Sequence, residues 1–531
     1  MLWLLAMPLL AFHAAIAWLS RDPEVLTGGD DAVYLLLARA LRHFSYREVF
    51  DASHPIHHFY PPGYPAILAI WGGFVGERFD ALVLLSIGAS VATLALVFWA
   101  LRERFSPLVA LLSLMALATN PALITAAGKV LSEPVYALVS LLPLVLLVRP
   151  DPGGKRLLQV AVLAIFAALT RSIGVTLVIA LGLHWLIERR FGTVAAFASA
   201  SAALIGAWFG WVAIASRQAG TGSYFDQAVN APTAGSTGFT VVSRVLRNVP
   251  GYLSDELPWF LSMPAVPGSW IDNVLTTTMV AVGFALGVVA LFRRWRPAAL
   301  YLLAYAVLLL VWPWRVGRFL LPIIPLLVPA TILGLGVALR PLGARWRVAG
   351  MVALTLVIAA TGSARAGESL RERQGCTRGS RPPSTGCLHG QQAQDQGSFF
   401  AALDYIDRRL PRDAVFLVAK RAPLYYYTER LSVPFDVAIG TAPREFVPHL
   451  RRSGVTHVLL SNLARRERGL LERLAASCGE LVLERAFPPR TYLFRIRDGG
   501  TPDTSSSACE ALAEYRKTVV GHDRGGCGRR G

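Results

Sequence analysis

The chain has 531 residues, of which 54% are apolar and only 16% are charged. Soluble domains carry about a quarter charged residues, so this composition excludes an ordinary soluble protein. The charges are also unevenly spread, with 41 in residues 1–363 and 45 in the last 168 residues. All 13 tryptophans lie in the first part and all five cysteines in the second. This division predicts a polytopic membrane region followed by a soluble domain.

The net charge of +18 does not by itself indicate nucleic-acid binding. A nucleic-acid interface needs a clustered basic face with stacking aromatic side chains. Here the basic residues of the first part stand in short gaps between apolar runs, where they orient membrane helices. Of the 52 basic residues 48 are Arg, which we interpret as the coding bias of a GC-rich bacterium. We therefore expect no nucleic-acid partner.

Eleven apolar runs are candidate membrane spans. About 20 apolar residues cross a bilayer, and shorter helices suffice inside a bundle. The first run lacks the charged start and the cleavage site of a signal peptide, so we interpret it as a span. The runs cover about residues 1–19, 80–101, 106–126, 133–148, 157–170, 172–188, 193–215, 273–292, 297–314, 318–339 and 347–363.

Basic residues in the short loops predict the orientation of these spans. One set of loops contains 13 basic residues, and the opposite set contains only Lys129, Arg171, Arg315 and Arg318. The first set is therefore predicted to be cytoplasmic in a bacterial plasma membrane. This places the N-terminus inside, and the loops 20–79 and 216–272 and the C-terminal domain outside. Cysteines confined to the C-terminal domain agree with an oxidising compartment.

The tail, residues 364–531, alternates helix-like and strand-like segments, which predicts a small α/β domain. We prefer the disulfide pairs Cys376–Cys387 and Cys478–Cys509 among several pairings, with Cys527 left over. No Cys/His spacing is typical of a zinc site. Residues 376–397 and 498–508 are expected to be flexible. The helix-like segments are 398–410, 444–452 and 463–476, and the strand-like segments are 414–419, 455–460, 481–487 and 491–496.

The first outer loop carries an unusual series of polar and aromatic motifs. It contains Gly29-Asp30-Asp31-x-x-Tyr34, a histidine cluster at His54, His57 and His58, and Tyr60-Pro-Pro-Gly-Tyr-Pro65. The acid pair follows two glycines and precedes an amphipathic run, so it is predicted at a helix N-cap. Tyr60–Pro65 predicts a rigid turn into a short re-entrant helix.

These motifs, in this order, resemble the GT-C superfamily of integral membrane glycosyltransferases. The branch with protein O-mannosyltransferases and the lipid A aminoarabinose transferase is the most similar. The resemblance covers the layout of residues 1–363 and implies a mainly α, transmembrane helical bundle of GT-C type with about 11 spans. It implies an extracytoplasmic small α/β domain at 364–531. The further motifs that carry it are Asn120-Pro121, Ser132-Glu133-Pro134, Thr170-Arg171 and Arg318-Phe-Leu-Leu-Pro322-x-x-Pro325.

The resemblance implies transfer of a sugar from a polyprenyl-phosphate carrier to a hydroxyl or phosphate acceptor on the outer face. The transfer would be a single displacement with inversion at the sugar carbon. The acceptor hydroxyl needs a carboxylate to take its proton. The leaving lipid phosphate needs a fixed cation, for which Arg offers a bidentate fork. The implied partners are the polyprenyl-phosphate sugar donor, membrane lipids, and a lipid, glycan or protein acceptor.

By this resemblance Asp30 is the catalytic base, and Asp31 orients it, binds the acceptor or holds a metal. Some relatives use a divalent metal, so a cofactor stays an open question, although the three histidines fit no standard zinc set. Plain structural roles compete with each assignment: helix capping, an i,i+4 pair between Lys129 and Glu133, snorkelling arginines and hydrogen-bonded loop histidines. The donor-phosphate candidates are Lys129, Arg171 and Arg318, and the substrate-binding candidates are Tyr34, His58, Tyr60 and Glu133.

Three other functions compete with a glycosyltransferase. A secondary transporter would show paired inverted repeats with interrupted helices near the midplane, and the sequence has no such repeat. A ligase or polymerase of lipid-linked oligosaccharides usually has its long loop late in the chain. A non-catalytic relative that only binds lipid would not need the intact pair Asp30 and Asp31.

Overall fold

The computed structural model describes most of the chain. The described residues are 2–26, 30–148, 153–219, 240–263, 270–373, 393–435, 441–464, 467–497 and 507–525, with the single positions 376, 383, 387, 388 and 499. Parts of the predicted flexible segments, Cys527, Gly29 of the acid-pair motif and much of the loop 216–272 therefore lie outside the described residues.

The chain divides into two units. The first unit contains Met1–Arg21 and His57–Arg371, and the second contains Asp22–Ile56 and Glu372–Gly531. Most of the first outer loop thus belongs to the same unit as the C-terminal domain. The helix that leads into the second unit runs over Ala344–Glu372, so the predicted boundary at residue 363 falls inside it.

The first unit is helical because its sequence is a series of long apolar runs. Residue Ser106 begins one helix by accepting a hydrogen bond from the Val109 amide at 3.3 Å, as an N-cap serine does. The α-helices span Leu2–Leu19, Gly63–Val75, Phe79–Arg104, Pro107–Ala118, Pro121–Ala127, Ser132–Leu146, Gly154–Thr170, Val175–Ile187, Phe191–Ala219, Thr240–Gly251, Leu257–Phe260, Trp270–Arg294, Arg296–Val311, Ile324–Ala338 and Ala344–Glu372.

All eleven predicted spans are helical over most of their length. By length and composition, six helices among the described residues can cross a bilayer, and a pair bent by 61°, Pro107–Ala118 with Pro121–Ala127, makes a seventh. Several of the remaining predicted spans are shorter apolar helices. The mainly helical membrane architecture is confirmed, while the number of about 11 spans stays a prediction. The six are Leu2–Leu19, Phe79–Arg104, Phe191–Gln218, Thr276–Arg294, Gly317–Ala338 and Ala344–Glu372.

The second unit is built on a five-stranded mixed sheet with the order β2-β1-β3-β5-β4. β1 pairs in parallel with β2 and β3, whereas β5 is antiparallel to both β3 and β4. The strands are β1 Phe416–Val418, β2 Ser432–Val433, β3 His457–Leu460, β4 Leu481–Phe487 and β5 Thr491–Ile496. The α-helices are Asp31–Arg42, Ala393–Arg409, Arg421–Thr428, Phe446–Arg452, Glu467–Ala476 and Ser507–Gly525.

Helices cover both faces of this sheet. Successive strand residues point to opposite faces, so neighbouring positions belong to different buried clusters. Leu417 and Val458 belong to one buried cluster, while Phe416 and Leu459 belong to another. The small α/β domain is therefore present, and the strand predictions at 481–487 and 491–496 coincide with β4 and β5. Both preferred disulfides are also present, Cys376–Cys387 and Cys478–Cys509.

The first outer loop folds onto this domain through backbone and side-chain contacts. The Ala52 amide donates to the Ser432 carbonyl at 2.9 Å, and the Ser432 amide donates to the Phe50 carbonyl at 3.1 Å. Asp51 and Glu48 both pair with the Arg421 guanidinium, Glu48 at 3.4 Å. Residues 50–52 thus lie along β2 at one edge of the sheet, which holds the loop that carries the acid pair within the second unit.

Candidate active site

The acid pair stands at the start of the helix Asp31–Arg42, as the glycine pair and the amphipathic run predict. Asp30 occupies the N-cap position, but its side chain makes no capping hydrogen bond. Asp31 lies in the first turn and is only 4% exposed. Its Oδ1 accepts a hydrogen bond from the Ala32 amide at 2.9 Å, and its Oδ2 accepts one from the Leu26 amide at 3.3 Å. Helix capping alone therefore does not account for the Asp30 carboxylate.

Tyr34, the last residue of the acid-pair motif, lies one turn into the same helix and is buried. Its amide donates to the Asp30 carbonyl at 2.9 Å, the first hydrogen bond of the helix. The motif thus places two carboxylates and a tyrosine at one helix N-terminus, where the helix dipole favours negative charge.

In the first unit, three of the candidate residues form an ionic cluster around a buried carboxylate. Glu133 is 1% exposed, and its Oε1 accepts from the Nε of Arg318 and lies 3.0 Å from Nη1 of Arg171. The side chains of Arg171 and Arg318 are 14% and 30% exposed. Two guanidinium groups against one carboxylate leave one net positive charge. A charge among apolar membrane helices is costly and tends to serve a function.

The Tyr60–Pro65 motif helps to place Arg171. Gly63 begins the helix Gly63–Val75, and a Cβ atom at Gly63 would lie 2.6 Å from the Leu169 carbonyl oxygen. Only glycine permits this approach to the end of the helix Gly154–Thr170, directly before Arg171. Arg171 Nη1 also donates to the hydroxyl of Ser132, the residue before Glu133. The predicted short helix after the turn is present, and its first residue packs against Leu169 and Thr170, directly before the arginine.

Tyrosines that the sequence did not single out support the backbone next to Arg318. Arg318 lies in the 3-10 helix Gly317–Ile323, and the Tyr305 hydroxyl donates to the next carbonyl, that of Phe319, at 2.7 Å. Tyr305 and Tyr301 are buried, and their ring centroids are 5.8 Å apart. The Tyr301 hydroxyl shares a 2.9 Å hydrogen bond with the Tyr136 hydroxyl on the helix of Glu133. Buried hydroxyls paired in this way hold the arginine and glutamate backbones in register.

Asn120 and Lys129 flank the short helix Pro121–Ala127. Asn120 Oδ1 accepts from the Leu123 amide at 3.1 Å, and Asn120 Nδ2 donates to the Phe260 carbonyl at 2.7 Å. Lys129 follows this helix in the same unit as Glu133 and is partly buried. Glu133 pairs with two arginines that are distant in sequence. The spacing alone would suggest only an i,i+4 pair with Lys129.

The histidine cluster is divided between the two units, since His54 lies in the second and His57 and His58 lie in the first. His57 Nε2 accepts from the Tyr60 amide at 3.0 Å, and the two rings stack with centroids 5.5 Å apart. His57 and His58 are both buried. Among the described residues no group of three His, Cys, Asp or Glu side chains is arranged to hold a metal ion. For His57, the hydrogen-bonded loop role agrees with this geometry.

The structure therefore assembles Glu133, Arg171 and Arg318 in one unit and Asp30, Asp31 and Tyr34 in the other. The first group offers a partly buried positive charge that suits a phosphate. The second offers carboxylates that suit proton abstraction. Sequence reasoning missed Tyr305, because a tyrosine inside an apolar helix is more often a core residue.

The fold is similar to that of solved membrane glycosyltransferases. ArnT from Cupriavidus metallidurans in the apo state superimposes with a TM-score of 0.59 at 14% identity, covering 92% of this chain and 97% of ArnT. The same ArnT bound to undecaprenyl phosphate gives 0.57 at 15% identity with the same coverage. The oligosaccharyltransferase AglB from Archaeoglobus fulgidus, with an inhibitory peptide and a dolichol-phosphate, gives 0.54 at 13% identity, covering 96% of this chain and 77% of AglB.

That archaeal oligosaccharyltransferase has also been solved with Zn and sulfate, with a TM-score of 0.53 at 14% identity, covering 85% of this chain and 67% of that enzyme. No protein-family model matches the sequence, and no curated protein matches it. The structural similarity confirms the resemblance to the GT-C superfamily at the level of the fold. At these identities the comparison concerns the fold alone.

Proposed function

We propose that this protein is a membrane glycosyltransferase that takes a sugar from a polyprenyl-phosphate carrier. The buried cluster of Glu133, Arg171 and Arg318 carries the proposal, because it holds one net positive charge in a region of apolar helices. A lipid phosphate is an anion that reaches such a site from the bilayer. The similarity in fold to an ArnT bound to undecaprenyl phosphate supports the same carrier class.

In the proposed reaction, the acceptor oxygen attacks the anomeric carbon and the bond from that carbon to the phosphate oxygen breaks. Asp30 takes the proton of the acceptor hydroxyl, and the electron pair leaves with the lipid phosphate. Arg171 and Arg318, with Lys129 as a third cation, stabilise the negative charge that grows on this phosphate. The displacement inverts the sugar carbon. Asp31 orients Asp30 or the acceptor.

Glu133 has a definite part in this proposal. Bound to both guanidinium groups, it keeps two like charges side by side and directs their remaining N–H groups. Tyr34, His58 and Tyr60 are proposed to contact the sugar or the acceptor. A divalent metal stays compatible with the fold. Treatment of the purified protein with a chelator tests for a metal: if transfer is lost and returns when a metal is added back, the enzyme uses one.

The proposed orientation places the N-terminus in the cytoplasm and both candidate clusters on the outer side of a bacterial plasma membrane. A cysteine introduced at the exposed Ser254 should react with a membrane-impermeant thiol reagent added to intact cells. A cysteine at the exposed Arg345, in a predicted cytoplasmic loop, should not react until the membrane is opened. The reverse pattern would invert the whole assignment.

A cell-based experiment tests the activity while the acceptor is still unidentified. Envelope lipids and proteins from cells that lack this protein are compared by mass with those from cells restored with the natural chain or with Asp30→Asn. We expect a sugar mass to be lost with the gene and regained only with the natural chain. If both chains restored the sugar equally, Asp30 would not be the base.

An oligosaccharide-transferring enzyme is the second candidate, because AglB shares the fold. The lengths favour a transferase like ArnT, since this chain covers 97% of ArnT but 77% of AglB. The mass gained in the cell experiment distinguishes the two, as a single sugar and a preassembled oligosaccharide differ plainly.

A further inference from the structure

Functional groups from separate parts of the chain are expected to meet at the carboxyl ends of the strands in the second unit. β1 and β3 are neighbouring parallel strands, so their carboxyl ends lie at the same end of the sheet. In open α/β sheets, ligands commonly bind at this end. Lys420 follows the end of β1 by two residues, and Ser461 and Asn462 follow β3 directly.

The segment that carries the acid pair is fastened to the same region. The Tyr426 hydroxyl donates to Glu24 Oε1 at 2.9 Å, and the Tyr427 hydroxyl donates to the Val25 carbonyl at 2.6 Å. The Arg39 guanidinium lies 5.2 Å from the centre of the Tyr426 ring. The helix Arg421–Thr428, which begins directly after Lys420, is therefore packed against the helix that begins at Asp31.

Lys420 is partly buried, and three carboxylates contribute to its electrostatic environment. Burial lowers the pKa of Lys420, and the negative charges of Asp30, Glu467 and Asp31 oppose that shift. Glu467 is held within the domain, because its carboxylate accepts hydrogen bonds from the Ser461 amide at 3.0 Å and the Tyr515 hydroxyl at 2.8 Å. Of the three carboxylates, Asp30 and Asp31 are therefore the two that belong to the candidate active site.

The geometry points to Lys420 as a positioning residue for the acid pair: it holds Asp30 and Asp31 as adjacent anions, ready to take the acceptor proton. This inference rests on the proposed transferase function. Two adjacent carboxylates repel each other, and a partly buried ammonium offsets that repulsion. The chain has 48 Arg and only four Lys, so a lysine here is an unusual choice. An ammonium is a compact point charge with three rotatable donors, so it can face two carboxylates at once.

The inference makes the C-terminal domain a contributor to the active centre. As the acceptor oxygen bonds to the sugar, its proton passes to Asp30, and the ammonium of Lys420 stays charged throughout. The role is electrostatic, so Lys420 touches neither the donor nor the transferred proton.

A labelling experiment tests the coupling independently of enzymatic activity. The purified full chain is acylated with an amine reagent across a range of pH, and the modification of Lys420 is measured by mass spectrometry. In Asp30→Asn, and in Asp31→Asn, the titration of Lys420 should move to lower pH because a favourable negative charge is lost. The exposed Lys517 is the internal control and should titrate unchanged. An unchanged Lys420 titration in both variants would overturn the inference.

A kinetic experiment tests the consequence for transfer. Lys420→Met should lower kcat tenfold or more and move the acid limb of the pH–rate profile upward, because the positive charge beside the acid pair is then lost. Lys420→Arg should recover most of the rate, and Lys517→Met should behave as the natural chain. A Lys420→Met variant with an unchanged profile contradicts the inference while leaving the transferase intact. A natural chain without transfer refutes the proposed function, whereas the labelling result stands by itself.

Discussion

Replacement of Glu133 by Gln is the sharpest test of the buried cluster. The substitution keeps the shape of the side chain but removes the carboxylate that pairs with both Arg171 and Arg318. Glu133 is 1% exposed and both arginine side chains are less than a third exposed, so water cannot take its place easily. Both guanidinium groups then lose the carboxylate that they share.

The magnitude follows from the distances. At an effective dielectric constant of about 20, a unit charge pair at the 3.0 Å separation of Glu133 and Arg171 attracts by roughly 5 kcal/mol. Desolvation of the charges offsets part of this attraction, and removal of one partner of a buried pair costs about 3–5 kcal/mol in practice. We expect Glu133→Gln to lose about that much free energy of unfolding.

Thermal unfolding of the purified protein in detergent or nanodiscs measures this loss. Each kcal/mol corresponds to roughly 2–4 °C in a domain of moderate size, so the midpoint should fall by several degrees. The matched control is Glu188→Gln, which removes a more exposed pair with Arg296 at 3.8 Å and should cost less than about 1 kcal/mol. A Glu133→Gln midpoint equal to that of Glu188→Gln would refute the reasoning.

Three further predictions follow from the same structure. Arg318→Gln should weaken binding of undecaprenyl phosphate by about 10- to 100-fold, measured by titration, whereas the exposed Arg345→Gln should leave the Kd unchanged. Loss of Cys478–Cys509, which are 31 residues apart, should destabilise the second unit by about 3–4 kcal/mol, more than loss of Cys376–Cys387 at a separation of 11; an equal or reversed order in calorimetry would count against this. Burial and Arg495 lower the pKa of His457 to about 4, so its stabilising effect is complete above about pH 6.5 and declines toward pH 4. The free energy of unfolding should fall by about 2–3 kcal/mol by pH 4.5, and His457→Gln should flatten that dependence in denaturant titrations.

Much of the membrane region could be predicted because apolar runs of span length have few alternative structures. The strands β4 and β5 were equally clear, since each is bounded by turn residues. The helix Arg421–Thr428 and the short strand β2 were not predicted. Both are stabilised by contacts with the first outer loop, which is distant in sequence.

For the candidate site, the residues could be predicted from the sequence, but their contacts could not. Asp30, Glu133, Arg171 and Arg318 were visible because charges are rare in the first 363 residues. Which of them meet could not be predicted, because the contact of Glu133 with Arg318 joins positions 185 residues apart. Lys420 stood in a charged domain where one more basic residue attracts no notice, although it is one of only four lysines.

Turnover of a lipid-linked sugar tests the central claim most directly. The purified chain in nanodiscs is incubated with polyprenyl-phosphate sugars and an extract of envelope acceptors, and the released polyprenyl phosphate is quantified. The natural chain should release it together with a glycosylated product, and Asp30→Asn should be slower by about 100-fold or more. Equal release by both chains, or movement of the intact donor across the membrane without bond cleavage, would contradict the account.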